Sequence, residues 1–344
     1  MRYPKSLPAG GTIGFPAPSF GCATEPYRIL FDNALKRWES MGYKTLPGPN
    51  ARVEKGVGIS NDPESCASEF VDMYVSGESD CLISCGGGEL MCEILPHMDF
   101  EKLAQAEPKW FMGYSDNTNL TFLLATLSDT ASIYGPCASS FGMEPLHESL
   151  KDAYEILTGK RKCVQSYGMW DRDDLKDPEN PLAPYHLTEK LDMKSFVGRT
   201  PTENVQFKGR LLGGCMDVLA NLVGTRFDRV VEFVEQYKED GIIWFLESCD
   251  LNVFSIRRAM WQLEEAGWFK YVKGFLIGRP ANGAPMMNLD AHSAVLEVAG
   301  RKDVPIVFDV DLGHRPPMVP LVVGSMADVI VEGSSRMKVE MEFC

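Results

Sequence analysis

The sequence predicts an α/β protein, with an N-terminal domain built on a doubly wound parallel sheet and a smaller C-terminal α/β domain. In the first half of the chain, short apolar segments of strand length alternate with amphipathic segments of helix length. Glycines and small polar residues follow two of these apolar segments, as they do at the carboxyl ends of parallel strands. The chain has 344 residues, which is long for one hydrophobic core, so two domains are expected.

The elements of both halves follow from the spacing of apolar residues. Runs of apolar and β-branched residues predict strands, and apolar residues three or four positions apart predict helices. In the first half, the predicted strands are 12–17, 81–84 and 109–112, and the predicted helices are 27–41, 64–76 and 120–127. In the second half, the predicted strands are 208–212, 241–246, 273–277 and 304–310, and a helix is predicted over 255–266.

The domain boundaries are placed where this periodicity fades. Between about residues 163 and 204 neither period is visible, and Asp, Asn and Pro crowd residues 170–181. We therefore expect an N-terminal domain at 1–165, a linker or surface loop at 166–204 and a C-terminal domain at 205–344.

Residues 110–117 have the outline of a nucleophile elbow. They read Trp-Phe-Met-Gly-Tyr-Ser-Asp-Asn, an apolar strand followed by a turn and then by residues that can cap a helix. Gly113 would let the backbone fold back tightly, and Ser115 would then present its hydroxyl beside a helix N-terminus. The pattern is G-x-S-x-N rather than the stricter G-x-S-x-G, so an N-capping serine at an ordinary strand-to-helix turn is the alternative interpretation.

A serine nucleophile needs a base, and His314 is the best candidate among the five histidines. The ordinary pKa of histidine is close to neutrality, which suits proton transfer. His314 lies on a loop just past the strand 304–310, where α/β enzymes tend to place chemistry. The alternative is that His314 is a loop histidine without a functional role.

Glu247 is the candidate for the carboxylate that would orient this base. It stands at the carboxyl end of the apolar strand 241–246, so its carboxylate is partly desolvated and should have a partner. Two alternatives remain at this point: Glu247 could lie in an exposed turn, or Asp250 could take the same role.

Three consecutive glycines, Gly86 to Gly88, follow the strand 81–84 and could supply backbone N–H donors to a developing oxyanion. One such donor is worth ~10²–10³ in rate. The second donor would be the N–H of Asp116, the residue after the candidate nucleophile. The same turn could instead hold a phosphate, but neither the dinucleotide-binding nor the P-loop spacing is present.

The composition of the chain limits which partners and which cellular location are expected. The net charge of −14 at pH 7 argues against nucleic acid or an anionic membrane as a partner. Residues 1–10 lack the apolar core of a signal peptide, and no apolar run approaches the ~20 residues of a membrane span, so we expect a cytoplasmic protein.

The ten cysteines of a cytoplasmic protein should be reduced. They include no C-x-x-C pair, and no histidine flanks them at zinc-ligand spacing, so neither a metal site nor a cofactor is predicted.

Taken together, several motifs along nearly the whole chain resemble the LD-carboxypeptidase and microcin C self-immunity family of serine peptidases. The resemblance rests on residues 11–19 (Gly-Thr-Ile-Gly-Phe-Pro-Ala-Pro-Ser), Asn61-Asp62-Pro63, the turn Gly86 to Gly88, Gly113-Tyr114-Ser115-Asp116, Leu212-Gly213-Gly214, Phe245-Leu246-Glu247 and Gly313-His314. It implies an N-terminal domain similar to class I glutamine amidotransferases, and a homodimer that works without a cofactor.

The resemblance also implies roles for individual residues. Ser115 would be the nucleophile, His314 the base and Glu247 its partner, with the N–H groups of Gly87 and Asp116 as the oxyanion hole. The triad would then assemble from both domains. One departure concerns the substrate side of the cleft: many members carry asparagine after the paired glycines, where this chain has Cys215. Cys215, with Gly88 of the glycine turn, is therefore a candidate substrate-binding residue.

Two substrates are consistent with the resemblance. One is a murein tetrapeptide cut before its terminal D-alanine, and the other is a peptidyl or aminoacyl nucleotide of the microcin type. Trp170 could stack on a nucleobase, or it could simply pack the linker against the domain. Arg279 and Arg315 could meet a substrate carboxylate or form salt bridges. A function of another class, a non-catalytic ligand-binding protein in which Ser115 only caps a helix, is the remaining alternative.

Overall fold

The computed structural model describes residues 1–173 and 179–343. These residues divide into two compact units, one made of residues 1–161 and 179–185 and the other of residues 162–173 and 186–343. Residues 174–178, which fall within the predicted linker 166–204, lie outside the described residues.

The first unit alternates strands with helices, as its sequence predicts. Its strands are β1 (Thr12–Phe15), β2 (Lys44–Pro47), β3 (Cys81–Ile83), β4 (Trp110–Gly113) and β5 (Ser132–Tyr134). Its helices are α1 (Tyr27–Ser40), α2 (Pro63–Val75), α3 (Phe100–Gln105), α4 (Thr118–Ser128) and α5 (Glu148–Leu157), with short 3₁₀ segments at Met91–His97, Ser115–Asn117 and Ala138–Gly142.

These five strands run parallel in the order β5-β4-β3-β1-β2. The chain moves outward from β1 to β2 and then crosses to the other side of β1, which is the pattern of a doubly wound sheet. Strands β2 and β5 were not predicted from the sequence. Strand β2 is only half-buried and ends in proline, and β5 has three residues, so neither gives a clear apolar period.

The core beside β3 and β4 anchors the turn that carries Ser115. Phe70 of α2 and Leu120 and Leu124 of α4 pack with Leu82 and Phe111 of the sheet. Burying each such side chain stabilises the fold by about 1.5–3 kcal/mol. Both sides of the turn between β4 and α4 are therefore held by packed elements.

The second unit carries the remaining elements. Its strands are β6 (Cys163–Gln165), β7 (Met169–Trp170), β8 (Glu189–Lys190), β9 (Lys194–Val197), β10 (Thr200–Thr202), β11 (Asn204–Cys215), β12 (Ile242–Glu247), β13 (Val272–Gly278), β14 (Pro305–Val310), β15 (Leu321–Val323), β16 (Met326–Glu332) and β17 (Arg336–Glu342). Its helices are α6 (Met216–Leu222), α7 (Val230–Gln236), α8 (Val253–Glu265) and α9 (Ala291–Ala299).

A nine-stranded mixed sheet organises this unit in the order β10-β9-β14-β13-β12-β11-β16-β17-β6. The four central strands β14, β13, β12 and β11 are parallel, and the pairs on either side of them are antiparallel. All six residues of β12 are buried, which explains its continuous apolar sequence. The α/β class with parallel strands is thus confirmed. The carboxyl ends of the four parallel strands share one edge, where ligands of such sheets bind.

The segment 166–204 differs from the predicted linker or loop. It contributes β9 and β10 to the edge of the nine-stranded sheet, and β7 pairs with β8 in a separate hairpin. These strands have two to four residues each, too few to show a period in the sequence. Because they belong to the second unit, that unit is about as long as the first, and the expectation of a smaller C-terminal part is wrong.

No helix among the described residues is long and apolar enough to cross a membrane.

Candidate active site

Ser115 lies in the turn between β4 and α4, in the first unit. Its φ is 62°, in the left-handed region that costs a residue with a side chain of order 1–3 kcal/mol. A helix-capping serine would have an extended backbone, and the N-cap position of α4 is occupied by Asn117 instead. The geometry is therefore that of a strained elbow, and the interpretation of Ser115 as an N-cap does not hold.

The glycine turn after β3 passes directly beside this serine. A Cβ atom added at Gly87 would lie 3.3 Å from the Ser115 Cβ and 3.5 Å from its Oγ. The Asn117 side chain ties the two segments together, because its Nδ2 donates to the Gly86 carbonyl oxygen at 2.8 Å. At Gly88 a Cβ would overlap the Ser19 Oγ, so position 88 has no room for a side chain.

Asp116 is buried, and its carboxylate holds the elbow against two other segments. Its Oδ2 accepts from the Ser19 hydroxyl at 2.6 Å and from the Met91 N–H at 2.9 Å, and its Oδ1 accepts from the Asn119 side chain at 3.1 Å. Burial raises the pKa of Asp116 to about 6, against the lowering effect of these hydrogen bonds. The side chain is thus structural, and its backbone N–H is the group proposed for catalysis.

Glu247 and His314 form a buried pair in the second unit. Glu247 ends β12 with its side chain fully inaccessible to solvent, and its Oε2 lies 2.7 Å from the His314 Nδ1. A carboxylate at Nδ1 favours the tautomer in which Nε2 is the basic nitrogen. Asp250, the alternative carboxylate, is exposed to solvent. The structure therefore places Glu247, and not Asp250, against the imidazole.

Close approach of the His314 loop to β12 depends on Gly313. Its φ is 90°, and a Cβ at this position would overlap the Glu247 carboxylate oxygen Oε2. Only glycine tolerates both the backbone conformation and the contact. The Gly-His sequence therefore has a direct geometric role in forming the pair.

A buried ion pair fixes the same loop from the other side. The Arg279 Nη2 lies 2.7 Å from Asp311 Oδ1, and both side chains are at most 5% exposed. Arg279 also donates from Nη1 to the Asp309 carbonyl oxygen at 2.7 Å and from Nη2 to the Arg315 carbonyl oxygen at 3.3 Å. Of the two roles expected for Arg279, a ligand for a substrate carboxylate or a salt bridge, the structure shows the salt bridge, and it is buried in the loop that carries His314.

The groups around the His314 imidazole determine its charge state. Burial opposes the protonated imidazole, but the Glu247 carboxylate and the hydrogen-bonded Cys249 thiol outweigh burial and raise the pKa of His314 well above its ordinary range. The protonated, imidazolium form of His314 is therefore stabilised.

Cys215 ends β11 directly beside Glu247. The two residues are register partners on neighbouring parallel strands, and Cys215 is 2% exposed. Its Sγ donates to the Asp217 Oδ2 at 3.3 Å. Burial and the nearby Glu247 carboxylate raise the pKa of the Cys215 thiol strongly. The residue thus lies against the carboxylate of the pair.

Trp170 lines a cavity of about 590 Å³ in the second unit. The Arg279 guanidinium carbon lies 4.8 Å from the centre of the Trp170 ring, and the indole Nε1 donates to the Lys190 carbonyl oxygen at 3.2 Å. Arg315 lines the same cavity and donates to the Ala281 carbonyl oxygen at 2.6 Å. The cavity therefore combines one half-buried aromatic ring with five cationic and two acidic side chains, namely Arg172, Lys190, Lys194, Arg279, Arg315, Asp192 and Asp309.

Two family matches decide what kind of protein this is. Residues 13–135 match the LD-carboxypeptidase N-terminal domain, and residues 208–329 match the LD-carboxypeptidase C-terminal domain. The chain belongs to the LD-carboxypeptidase family. As a member of this family it is an enzyme of the peptidase class.

Relatives of this LD-carboxypeptidase family member span nearly its whole length. The chain is 26% identical to a probable murein peptide carboxypeptidase of Bacillus subtilis, over 94% of this chain and 90% of that protein. It is 25% identical to the microcin C7 self-immunity protein MccF of Escherichia coli, over 92% and 90%. Among solved structures, MccF in complex with aspartyl sulfamoyl adenosine superposes with a TM-score of 0.81 at 21% identity, covering 99% of both chains.

Three contributors to the site were missed by the sequence analysis. Asn117 links the elbow to the glycine turn, Asp311 pairs with Arg279, and the Cys249 thiol helps to raise the pKa of His314. Asn117 carried a signal, since it stands where the stricter elbow motif has glycine. Asp311 and Cys249 act through partners that are distant in sequence, and a local sequence pattern cannot reveal such contacts.

Proposed function

We propose that this enzyme hydrolyses an amide bond through a Ser115, His314 and Glu247 triad. The Ser115 Oγ attacks the scissile carbonyl carbon while the His314 Nε2 accepts the hydroxyl proton. The N–H groups of Gly87 and Asp116 stabilise the oxyanion. His314 then protonates the leaving amine, and water releases the acyl group from Ser115.

The observation that carries this proposal is the 2.7 Å contact between the Glu247 Oε2 and the His314 Nδ1. A buried carboxylate and imidazole in contact have little structural value of their own, since a buried ion pair stabilises a fold weakly. The left-handed backbone of Ser115, beside the Gly87 backbone, supports the same proposal from the first unit. Strain of this kind clusters at functional sites.

The first candidate substrate is a murein tetrapeptide, cut before its terminal D-alanine. The B. subtilis relative that covers most of the chain is named a probable murein peptide carboxypeptidase. The product pair would be a murein tripeptide and free D-alanine.

The second candidate is a peptidyl or aminoacyl nucleotide, and the Trp170 cavity supports it. An indole ring can stack on a nucleobase, and the five cationic side chains of the cavity outnumber its two aspartates, Asp192 and Asp309, which suits an anionic linkage. The relative MccF has been seen with aspartyl sulfamoyl adenosine. Cys215 and Gly88 are proposed to line the substrate side of the site in either case.

Mass spectrometry on two substrates tests the proposal. Wild type, Ser115→Ala and the control Ser40→Ala, which changes an exposed serine of α1, are incubated with L-alanyl-D-glutamyl-diaminopimelyl-D-alanine and with aspartyl sulfamoyl adenosine. We expect cleavage by wild type and by Ser40→Ala, and a loss of at least about 10³-fold in Ser115→Ala. Release of D-alanine identifies a murein peptidase, and cleavage of the nucleoside conjugate alone identifies an immunity-type hydrolase.

Binding of either compound without turnover by wild type would contradict the triad and support a non-catalytic ligand-binding protein. Equal turnover by wild type and Ser115→Ala would also contradict it, because the hydrolysis would then need another nucleophile.

We further propose a cytoplasmic homodimer that needs no cofactor and binds neither nucleic acid nor membrane. The described cysteines are all free thiols, most of them buried, which is the state a reducing compartment maintains. The net charge of −14 opposes binding to polyanions.

A further inference from the structure

Three side chains of the kinds that bind metal ions converge in the second unit. The Cys215 Sγ, a Glu247 carboxylate oxygen and a His314 ring nitrogen all lie within 4.8 Å of one another. They come from the end of β11, the end of β12 and the loop after β14, so 32 and 67 residues of chain separate them. No spacing motif could have revealed this cluster, and the sequence analysis predicted no metal site.

The backbone holds these three groups in place. Parallel pairing of β11 with β12 sets Cys215 opposite Glu247. The absence of a side chain at Gly313 lets the His314 loop reach the same carboxylate. Cys215 and Glu247 are buried, and the His314 side chain is only 15% exposed.

Thiolate, imidazole and carboxylate together are a donor set that suits Zn²⁺. Zinc binds sulfur at about 2.3 Å and nitrogen or oxygen at about 2.0–2.2 Å, so tetrahedral ligand atoms lie roughly 3.3–3.7 Å apart. The three ligand atoms lie within 4.8 Å of one another, and the Glu247 Oε2 and the His314 Nδ1 are 2.7 Å apart. To reach the zinc spacing, this pair must separate by roughly 0.6–1 Å, and the Cys215 Sγ must approach it by up to about 1 Å. Alkaline-earth ions prefer six or more oxygen ligands and do not fit a site with a thiol.

We propose that Cys215, Glu247 and His314 form a Zn²⁺ site whose occupation blocks the hydrolase. Zinc binding displaces the proton of the Cys215 thiol and any proton on the ligating nitrogen of His314 to solvent, and no electron is transferred. With its imidazole coordinated, His314 cannot accept the proton of the nucleophile. Metal binding stands independently of the proposed function, whereas the inhibition rests on it.

The presence of cysteine at position 215 is what makes the site possible. The asparagine that the family resemblance implies at this position would be a poor ligand for zinc. The Glu247 and His314 pair alone would offer only two protein ligands. The Cys215 thiol supplies the third ligand, and water can take the fourth position.

Cobalt titration of the Ser115→Ala protein tests binding without relying on activity. We expect one equivalent of Co²⁺ to produce a thiolate-to-cobalt charge-transfer band in the near ultraviolet, and Zn²⁺ to displace it. Cys215→Ser should abolish the band and weaken Zn²⁺ binding at least tenfold, while the control Cys92→Ser, which changes an exposed thiol, should leave both unchanged. Glu247→Gln is a second variant that should weaken zinc binding if Cys215→Ser does not fold.

Absence of the band in Ser115→Ala, or its persistence in Cys215→Ser, would overturn the zinc site. A functional readout follows on wild type: Zn²⁺ should inhibit hydrolysis, EDTA should reverse the inhibition, and Cys215→Ser should need at least tenfold more Zn²⁺ for half inhibition. Zinc binding without any wild-type hydrolysis would refute the proposed function and retain the site. Hydrolysis that is insensitive to bound zinc would refute the inhibition.

Discussion

At the scale of single residues, the backbone of Ser115 offers a measurable sign of the elbow. Its φ of 62° disfavours any residue with a Cβ, and glycine is free of that cost. We therefore expect Ser115→Gly to have a free energy of unfolding about 1 kcal/mol above that of Ser115→Ala, with both variants inactive. Urea denaturation of the two proteins measures the difference. An alanine variant as stable as the glycine variant would show that the turn is not strained.

The raised pKa of His314 predicts the pH dependence of the reaction. As the proposed base, His314 must be neutral to accept a proton, and the Glu247 carboxylate keeps its imidazole protonated to a higher pH than the ordinary pKa of 6.5 would. The acid limb of kcat/KM should therefore have its midpoint above pH 6.5, with activity rising as pH increases through it.

Two variants separate this effect from other ionisations. Glu247→Gln removes the carboxylate and should lower the midpoint together with the rate. His292→Gln should leave the midpoint in place, because His292 pairs with Asp309 rather than with the triad. A wild-type midpoint at or below 6.5 would contradict the role given to Glu247.

The sequence predicts the individual site residues better than their contacts. Ser115, Glu247 and His314 each follow an apolar run, and strand ends are where chemistry is expected. That Glu247 touches His314 depends on strands β12 and β14 sharing one sheet, which local patterns do not encode. The convergence of Cys215 on the same pair depends on the β11 to β12 register and was not predictable for the same reason.

At the scale of elements, the loop after β14 depends on the Arg279 and Asp311 pair. Asp311→Asn would leave the buried guanidinium without its counter-charge, which we expect to cost roughly 3–5 kcal/mol of stability. It should also lower kcat/KM, because the same arginine holds the backbone around His314. Urea denaturation and steady-state kinetics measure the two effects.

The exposed pair of Arg336 with Glu332 is the matched control for this prediction. Glu332→Gln breaks an ion pair on the surface and should change stability by less than about 1 kcal/mol. A double replacement, Arg279→Met with Asp311→Leu, should cost less than Asp311→Asn alone, because it leaves no unpaired charge. Equal costs for Asp311→Asn and Glu332→Gln would show that the buried pair does not support the loop.

Element prediction succeeded where the apolar period was long and failed where strands were short. The buried strand β12 and the helix α8 follow from clear apolar patterns. Strands β7 to β10 have two to four residues and lie in a polar, proline-rich stretch, so their pairing is decided by the neighbouring sheet. Tertiary contacts, rather than local propensity, make these residues extended.

At the scale of the whole molecule, charge should affect assembly. Each chain carries a net charge of −14, so two chains repel one another at low ionic strength. If the proposed homodimer forms, sedimentation equilibrium should give twice the chain mass of 38.3 kDa, and the dimer should tighten as salt is raised. A mass of one chain at all salt concentrations would exclude the dimer.

The α/β class could be predicted from the sequence because it depends on the alternation of element types, which the first half displays clearly. The extent of the second unit could not. Its sheet recruits β6 from before residue 166 and β9 from the expected linker, and chain segments far apart in sequence become neighbours only after folding.

Gly313 sets a limit on how this protein can evolve or be engineered. Every one of the nineteen other amino acids would place an atom onto the Glu247 carboxylate and would also be forced into an unfavourable backbone conformation. In a library randomised at codon 313, few clones other than those encoding glycine would be active. Variation that redirects the enzyme toward new substrates must therefore enter through neighbouring positions and leave this one untouched.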